Sequence, residues 1–408
     1  MTRTRLDALI REQEGLDALT REGIRRIQLE RLNLLLARER ERSGFYAELP
    51  ARLSRLEELA WLPFTTQEQL SEYAPSMLLC SQAEVQRVIS DVTSGTTGAG
   101  KRVFYTYGDC ERTVRLFMAG LGELVFQGEK TLICMPFSGA FGLGGLIAEA
   151  VERLGAEPVR AGAQLSYAEL GALLHEYRPD SFVGMPVQLL SLLRVCGRGS
   201  LKRALVSADA CPEGVMSAAE GLLGSKLFPH YGSREMGLGG AVCCPAHEGM
   251  HLRENHVIAE IIDENGSPVP DGEYGELVIT TIGMEAIPLI RYRTGDLTRI
   301  LPSPCPCGSE LLRLDMVHRV TGSDMERLDS AIFADKSIAD YTASYGGGVY
   351  TINALTVGEY DPTGLFKSVF GDNIRLSRRA VTGDDRAMYA GKRVLLTAES
   401  KPRVKRVV

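Results

Sequence analysis

Along the N-terminal stretch, leucines and isoleucines recur at three- and four-residue spacings among arginines and glutamates, which predicts helix over residues 3–42. "WLPFTTQEQL" (61–70) follows, with Thr65 or Thr66 placed to cap a helix whose first turn holds Gln67 and Glu68. From about 80 to 230 the pattern alternates. "KTLICMPF", "AEPVRA", "SFVGMP" and "RALVSA" read as short strands, whereas "LGGLIAEAVERLG", "SYAELGALLHEY" and "QLLSLLRVC" read as helices. That rhythm predicts βαβ units on a mainly parallel sheet.

The pattern changes after Gly240. "HVIAEIIDENGSPVPDGEYGELVITTI" is strand, turn, strand, with Asn265-Gly266 and Asp271-Gly272 at the reversals, and predicts a small antiparallel sheet or barrel. Weaker helix and strand signals from about 318 predict a compact α+β tail. The expected fold is α/β: a large unit over 1–317, with mainly parallel sheet, helices and a small β-barrel region, and a smaller unit over 318–408.

Composition adds bounds. The chain has 408 residues, enough for two domains. A net charge of −6 gives no global pull towards nucleic acid or an anionic membrane. No apolar run reaches the 18 or so residues of a membrane span, and the charged N-terminus is unlike a signal peptide. Nine cysteines without an export signal point to reduced thiols and a cytoplasmic protein.

The chemistry is densest in "SDVTSGTTGAGKRVFY" (90–105). Gly95 to Lys101 reads G-x-x-x-x-G-K, but a Walker loop needs Ser or Thr after the lysine and then a helix. Here Arg102 follows Lys101, and "RVFYTYGD" is β-branched and aromatic, which predicts a strand. Thr93, Ser94, Thr96 and Thr97 supply hydroxyls, Gly95 and Gly98 free the backbone to turn its N–H groups inward, and Lys101 adds charge. A hairpin of this content can wrap a triphosphate.

"TSGTTGAGK" resembles the phosphate-loop signature T-S-G-T-T-G-x-P-K of the adenylate-forming superfamily, which includes acyl- and aryl-CoA ligases. "HYGSREMG" (230–237) is similar to its Y-G-x-x-E segment, and "IPLIRYRTGDLTRI" (287–300) to its R-Y-R-T-x-D-L segment. "LPFTT" (62–66), "FSGAFGLGG" (137–145), "GMHLRENHVIAEIID" (249–263) and "GSPVPDGEYGELVITT" (266–281) resemble the phenylacetate–CoA ligase branch. The joint occurrence of these segments in order, over about residues 60 to 315, makes the likeness specific.

The resemblance implies activation of a carboxylic acid by ATP and Mg²⁺ to an acyl-AMP, followed by transfer to CoA. Thr93, Ser94, Gly95, Thr96, Thr97, Gly98 and Lys101 would grip phosphates, and Glu235 would be the metal-binding acid. Tyr231 and Gly232 would lie on adenine, Asp296 on the ribose hydroxyls, and Ala208 and Asp209 of "SADA" on the adenine segment. Phe137, Phe141, Gly184 and Met185 would line an acyl pocket, the two rings suiting an aromatic acid. Members of the branch also carry a C-x-C-G beside an upstream Cys and His. The corresponding Cys244, His251, Cys305 and Cys307 suit a tetrahedral structural Zn²⁺ that would staple the edges of the small β region, with Cys243 as the alternative ligand.

The tail departs from the pattern. The family's tail is mobile and rotates between half-reactions, and its hinge is followed by G-R-x-D-D; here the arginine is absent after Gly322, and Arg319 stands nearby. Aligning the family's G-K-x-x-R on Arg406 puts Arg403 where its catalytic lysine stands, with Lys401 and Lys405 two residues away on either side and Lys401 as the candidate. Arginine does not substitute freely for such a lysine. Two alternatives therefore stand: an adenylating enzyme with a non-CoA acceptor, such as a carrier protein or an amine, and a non-catalytic nucleotide-binding paralogue. The particular acid, and whether the chain works alone or as a homodimer, stay open.

Overall fold

A computed structural model describes residues 4–90, 101–139, 141–302, 304–320, 324–389 and 391–397. The N-terminal helical pattern divides into α1 (Arg5–Glu14) and α2 (Arg21–Glu41). Gly15 adopts a left-handed backbone that ends the first, and the Thr20 hydroxyl caps the second through the Gly23 N–H. Thr66, rather than Thr65, caps α3 (Gln67–Tyr73), in a capping box with Gln69.

Strands β1 (Val85–Ser90) and β2 (Arg102–Thr106) pair antiparallel, with Ser90 opposite Arg102. A strand therefore follows Lys101, and the Walker arrangement is excluded. Thr106 then caps α4 (Tyr107–Leu121) in a box with Asp109.

The central sheet takes β3 (Lys130–Ile133), β4 (Glu157–Arg160), β5 (Ser181–Gly184), β6 (Arg203–Val206) and β7 (Phe228–Tyr231), all parallel. Antiparallel β8 (Ala241–Cys243) and β9 (Met250–Leu252) extend it. The pattern change after Gly240 thus does not leave the sheet at once. Strands β10 (Val257–Ile262), β11 (Gly275–Thr281) and β12 (Tyr292–Thr298) start the separate antiparallel sheet. Then β13 (Arg313–Leu314) returns to the central sheet beside β9, and β14 (His318–Arg319) joins β12.

Period-two alternation sends neighbours to opposite faces of the central sheet. Ile133, Val183 and Leu205 pack with α4 and with α5 (Leu143–Arg153). Leu132, Phe182, Ala204 and Val206 pack with α6 (Tyr167–Tyr177), α7 (Pro186–Cys196) and α8 (Glu213–Leu223). The tail adds α9 (Asp324–Phe333), β15 (Ile338–Gly346), β16 (Val349–Thr356), α10 (Thr363–Phe370), β17 (Ile374–Ala380) and β18 (Leu396–Thr397). Its four strands form one sheet in the order β17-β16-β15-β18. Among the described residues, no helix is long and apolar enough to cross a membrane.

Candidate active site

Ligands of open α/β sheets bind beyond the carboxyl ends of the parallel strands. Four adjacent strands deliver candidate residues there. Phe137 lies beyond β3, Gly184 ends β5 and is followed by Met185 at the cap of α7, Ala208 and Asp209 follow β6, and Tyr231 ends β7. The local backbone is specialised. Ala208 takes a left-handed φ of 70° and Phe141 one of 60°, conformations that side chains other than glycine seldom hold and that cluster at functional sites. A Cβ on Gly232 would stand 2.3 Å from the Leu238 carbonyl oxygen, so only glycine fits there.

After β7 a short turn, Arg234–Met236, buries Glu235. Its carboxylate forms an ion pair with the Lys101 ammonium and accepts a hydrogen bond from the Tyr292 hydroxyl at 3.2 Å. Tyr292 also lies 3.4 Å from Lys101 Nζ. Tyr105 of β2 donates to the Arg234 carbonyl at 2.7 Å, fixing the hairpin against the turn. Burial pushes the Glu235 carboxyl up, but the Lys101 charge and hydrogen bond outweigh it, and the pKa falls to about 2. The group is ionised at neutral pH.

Asp296 of β12 lies beside this pair. The Tyr231 hydroxyl donates to one of its carboxylate oxygens at 2.8 Å, and Arg319 from the paired strand β14 forms an ion pair with the other at 3.1 Å. Burial and the Asp296 charge raise the Tyr231 pKa, so the hydroxyl remains a donor. Asp209 accepts the Arg393 backbone N–H at 2.9 Å, and burial pushes its pKa up to about 6.

The two rings offered for an acyl pocket take different partners. Phe137 sits under the Arg160 guanidinium at 5.7 Å, whereas Phe141 meets Tyr107 edge-on at 6.1 Å between centroids. Thr93, Ser94, Gly95, Thr96, Thr97, Gly98 and Lys401 lie outside the described residues.

Sequence reasoning missed Tyr292 and Lys392. Tyr292 stands inside the quoted "IRYRTGD", where its place between two arginines was the available signal. Lys392 follows Gly391, a Gly-Lys pair that could have drawn notice. Its side chain reaches solvent, yet the surrounding protein and the Arg319 charge lower its pKa, while Asp296, Asp209 and Glu235 pull the other way.

A second cluster lies at the antiparallel edge of the central sheet. The donor atoms of Cys244, His251, Cys305 and Cys307 all fall within 4.8 Å of one another. Cys244 and Cys305 sulfurs are 3.7 Å apart, and Cys307 Sγ is 3.4 Å from His251 Nε2. Zinc–sulfur bonds of about 2.3 Å in a tetrahedron place sulfurs about 3.8 Å apart, so the donor set fits that ion. Cys243 turns instead towards the Cys244 carbonyl and His247. The sequence places the four residues on the small β region; the cluster instead brings together β8, β9 and the loop before β13, because those strands continue the central sheet.

The AMP-binding enzyme family matches residues 83–285. The chain is similar to the phenylacetate-coenzyme A ligase of Thermus thermophilus, at 31% identity over 74% of this chain and 71% of that protein. It is also similar to the phenylacetate-coenzyme A ligase of Aromatoleum evansii, at 32% identity over 71% of this chain and 69% of the relative. In fold it resembles the crystal structure of a 2-hydroxyisobutyryl-CoA ligase in the postadenylation state. That likeness has a TM-score of 0.74 and 18% identity, and covers 91% of this chain and 89% of the other.

Proposed function

Because the chain belongs to the AMP-binding enzyme family, in its phenylacetate–CoA ligase-like branch, we propose that it is an AMP-forming acid–CoA ligase. It joins a carboxylic acid to the α-phosphate of ATP, releases pyrophosphate, and passes the acyl group to CoA. An aromatic acid is the substrate class we favour, from the branch likeness and the aromatic side chains around the strand ends. The observation that carries the reading is the continuous chain Lys101–Glu235–Tyr292 beside Tyr231–Asp296–Arg319, set beyond the carboxyl ends of parallel strands.

The geometry supports a role for each residue. Lys101 is a fixed cation at the end of the glycine-rich segment, held on Glu235 until a polyanion draws it away. Asp296 is oriented by Tyr231 and Arg319 so that its remaining lone pairs can accept from ribose hydroxyls. Glu235, ionised and buried, is a single carboxylate. Mg²⁺ is commonly bound by one or two carboxylates together with substrate phosphates, so Glu235 would hold the ion that screens the nucleotide's charge. Cys244, His251, Cys305 and Cys307 would hold a structural zinc. We divide the chain into a body over 1–317 and a tail over 318–408, and we place the enzyme in the cytoplasm.

Pyrophosphate exchange into ATP, run over a panel of aryl and short-chain acids, tests the reading. Acid-dependent exchange without CoA, followed by thioester formation when CoA is added, is the expected result. Exchange with no thioester redirects the assignment to another acceptor, and no exchange with any acid removes the enzymatic reading.

A further inference from the structure

Arg393 of the tail is buried. Its guanidinium donates to both carboxylate oxygens of Asp329 at 2.8 and 3.0 Å, to Asp340 at 2.7 Å and to the Tyr341 carbonyl at 2.9 Å. The rings of Phe333, Tyr341 and Tyr389 surround it. Asp340 also accepts the Met388 N–H at 2.7 Å, which ties the approaching chain to the same carboxylate. A planar guanidinium forked between two buried carboxylates cannot turn away without stranding charge. The chain from 388 to 393 is therefore clamped to the tail.

The clamp faces the body. The Arg393 backbone N–H donates to Asp209 Oδ2 at 2.9 Å, and Asp209 follows β6 at the strand ends where the other site residues gather. The preceding residue, Lys392, is thereby delivered to the site. The charges that its ammonium meets are those of Arg319, Asp296, Asp209 and Glu235. Lys101 rests on Glu235 and Arg319 rests on Asp296. Lys392, among the described residues, forms no ion pair and no side-chain hydrogen bond. It is a compact charge on a flexible stem, free to meet an arriving anion.

Joining an acid to ATP calls for such a cation, because the carboxylate and the α-phosphate are both anionic and must come within bonding distance. We propose, resting on the ligase reading, that Lys392 is the catalytic cation that bridges the acid carboxylate and the α-phosphate, and that Arg393 is the positioning residue that carries it there. Lys392 thus takes the role for which resemblance offered Lys401. A carboxylate oxygen bonds to the α-phosphorus as the bond from that phosphorus to the bridging oxygen of pyrophosphate breaks. Lys392 stays protonated throughout and offsets charge on both partners. It belongs to the tail and its targets to the body, so it acts while the two are docked as described and departs whenever the tail does.

Acid-dependent pyrophosphate exchange by the full chain, Lys392→Ala, Asp329→Asn and the double variant tests both roles. Lys392→Ala is expected to lower kcat at least ~100-fold with little change in the KM for ATP. It should melt like the wild type, since the side chain is exposed. Asp329→Asn removes one of the two oxygens that hold Arg393 and is expected to cost on the order of 10- to 100-fold by misplacing the ammonium. In the Lys392→Ala background it should cost nothing further, whereas a merely structural loss would recur there. Exchange that survives Lys392→Ala overturns the catalytic role, and equal losses in both backgrounds overturn the positioning role. Trace acetylation read by mass spectrometry needs no turnover. ATP is expected to reduce labelling of Lys392 and to leave the exposed Lys226 unaltered. A wild type that exchanges with no acid counts against the ligase reading, whereas Lys392 labelled equally with and without ATP overturns its placement at the nucleotide.

Discussion

The Lys101 ammonium rests on the Glu235 carboxylate, which joins the end of the glycine-rich segment to the turn that closes β7. Neither residue is informative alone. Together they set a cation and an anion side by side, which on the proposed reading would meet a nucleotide's outer phosphates and their metal.

Lys101→Ala is expected to reduce acid-dependent pyrophosphate exchange at least ~100-fold, the usual effect of removing one donor to developing charge. It also strands a buried carboxylate, which costs about 3 kcal/mol, the lower end for a broken buried pair because the Lys101 side chain keeps 21% of its exposure. The double variant Lys101→Ala/Glu235→Gln should recover most of the stability and none of the exchange. Thermal melts beside the exchange assay check both, and a single variant that melts like the wild type refutes the pairing.

The same pair sets an acid limit. Glu235 has its folded pKa lowered from 4.5 to about 2, so its contribution is complete above about 4.5 and is lost as pH falls towards 2. Glu235→Gln should flatten that part of the stability curve measured by urea melts. An unchanged acid slope would show that other carboxylates carry it.

Tyr231→Phe removes the hydrogen bond to Asp296 and keeps the ring. Bonds to charged groups contribute about 1.5–3 kcal/mol, and part of that is regained when ribose hydroxyls donate to the freed oxygen. The KM for ATP should rise roughly tenfold with little change in kcat. A loss confined to kcat would place Tyr231 at the reacting atoms instead.

Much of this arrangement was legible in the sequence. The βαβ rhythm from "KTLICMPF" to "RALVSA" becomes four parallel strands, to which β7 adds a fifth, and the residues after Lys101 form a strand because β-branched and aromatic side chains dominate them. What was hidden depends on tertiary pairing. "AVC" and "MHL" look like the start of a new unit, yet they add to the central sheet through β7. Arg393 reads as a surface charge until Asp329 and Asp340 close around it, and Tyr292 reads as core until Glu235 is placed beside its hydroxyl. Periodicity shows which face is apolar, but not which distant carboxylate will meet a given cation.

One zinc per chain is expected in metal analysis of the purified protein, bound by Cys244, His251, Cys305 and Cys307. Cys305→Ser should abolish it and lower the melting temperature, since the ion would close the edge formed by β8, β9 and the loop before β13. Chelation should reproduce that loss, and pyrophosphate exchange measured below the melting range should survive it, because no open position is left for substrate. Metal-free protein with unaltered stability would refute the site.

Asp209 offers the opposite pH signature to Glu235. Its folded pKa is raised from 3.8 to about 6 by burial, against the Arg393 N–H and nearby positive charge, so the protonated form suits the fold better. The stability this group contributes is complete below about 3.8 and is lost as pH rises through about 6. Asp209→Asn removes the ionisation and keeps one acceptor oxygen for the Arg393 N–H, which Oδ2 accepts, while the amide nitrogen takes the place of Oδ1 beside the Ala210 N–H. The variant should match the wild type near pH 4 and exceed it at pH 8, by at most about 3 kcal/mol for a shift of this size. Urea melts of both proteins across that range decide it. A variant that is weaker at pH 8 would mean that the Asp209 charge holds the Arg393 segment in place, and that the carboxylate is ionised in the folded chain.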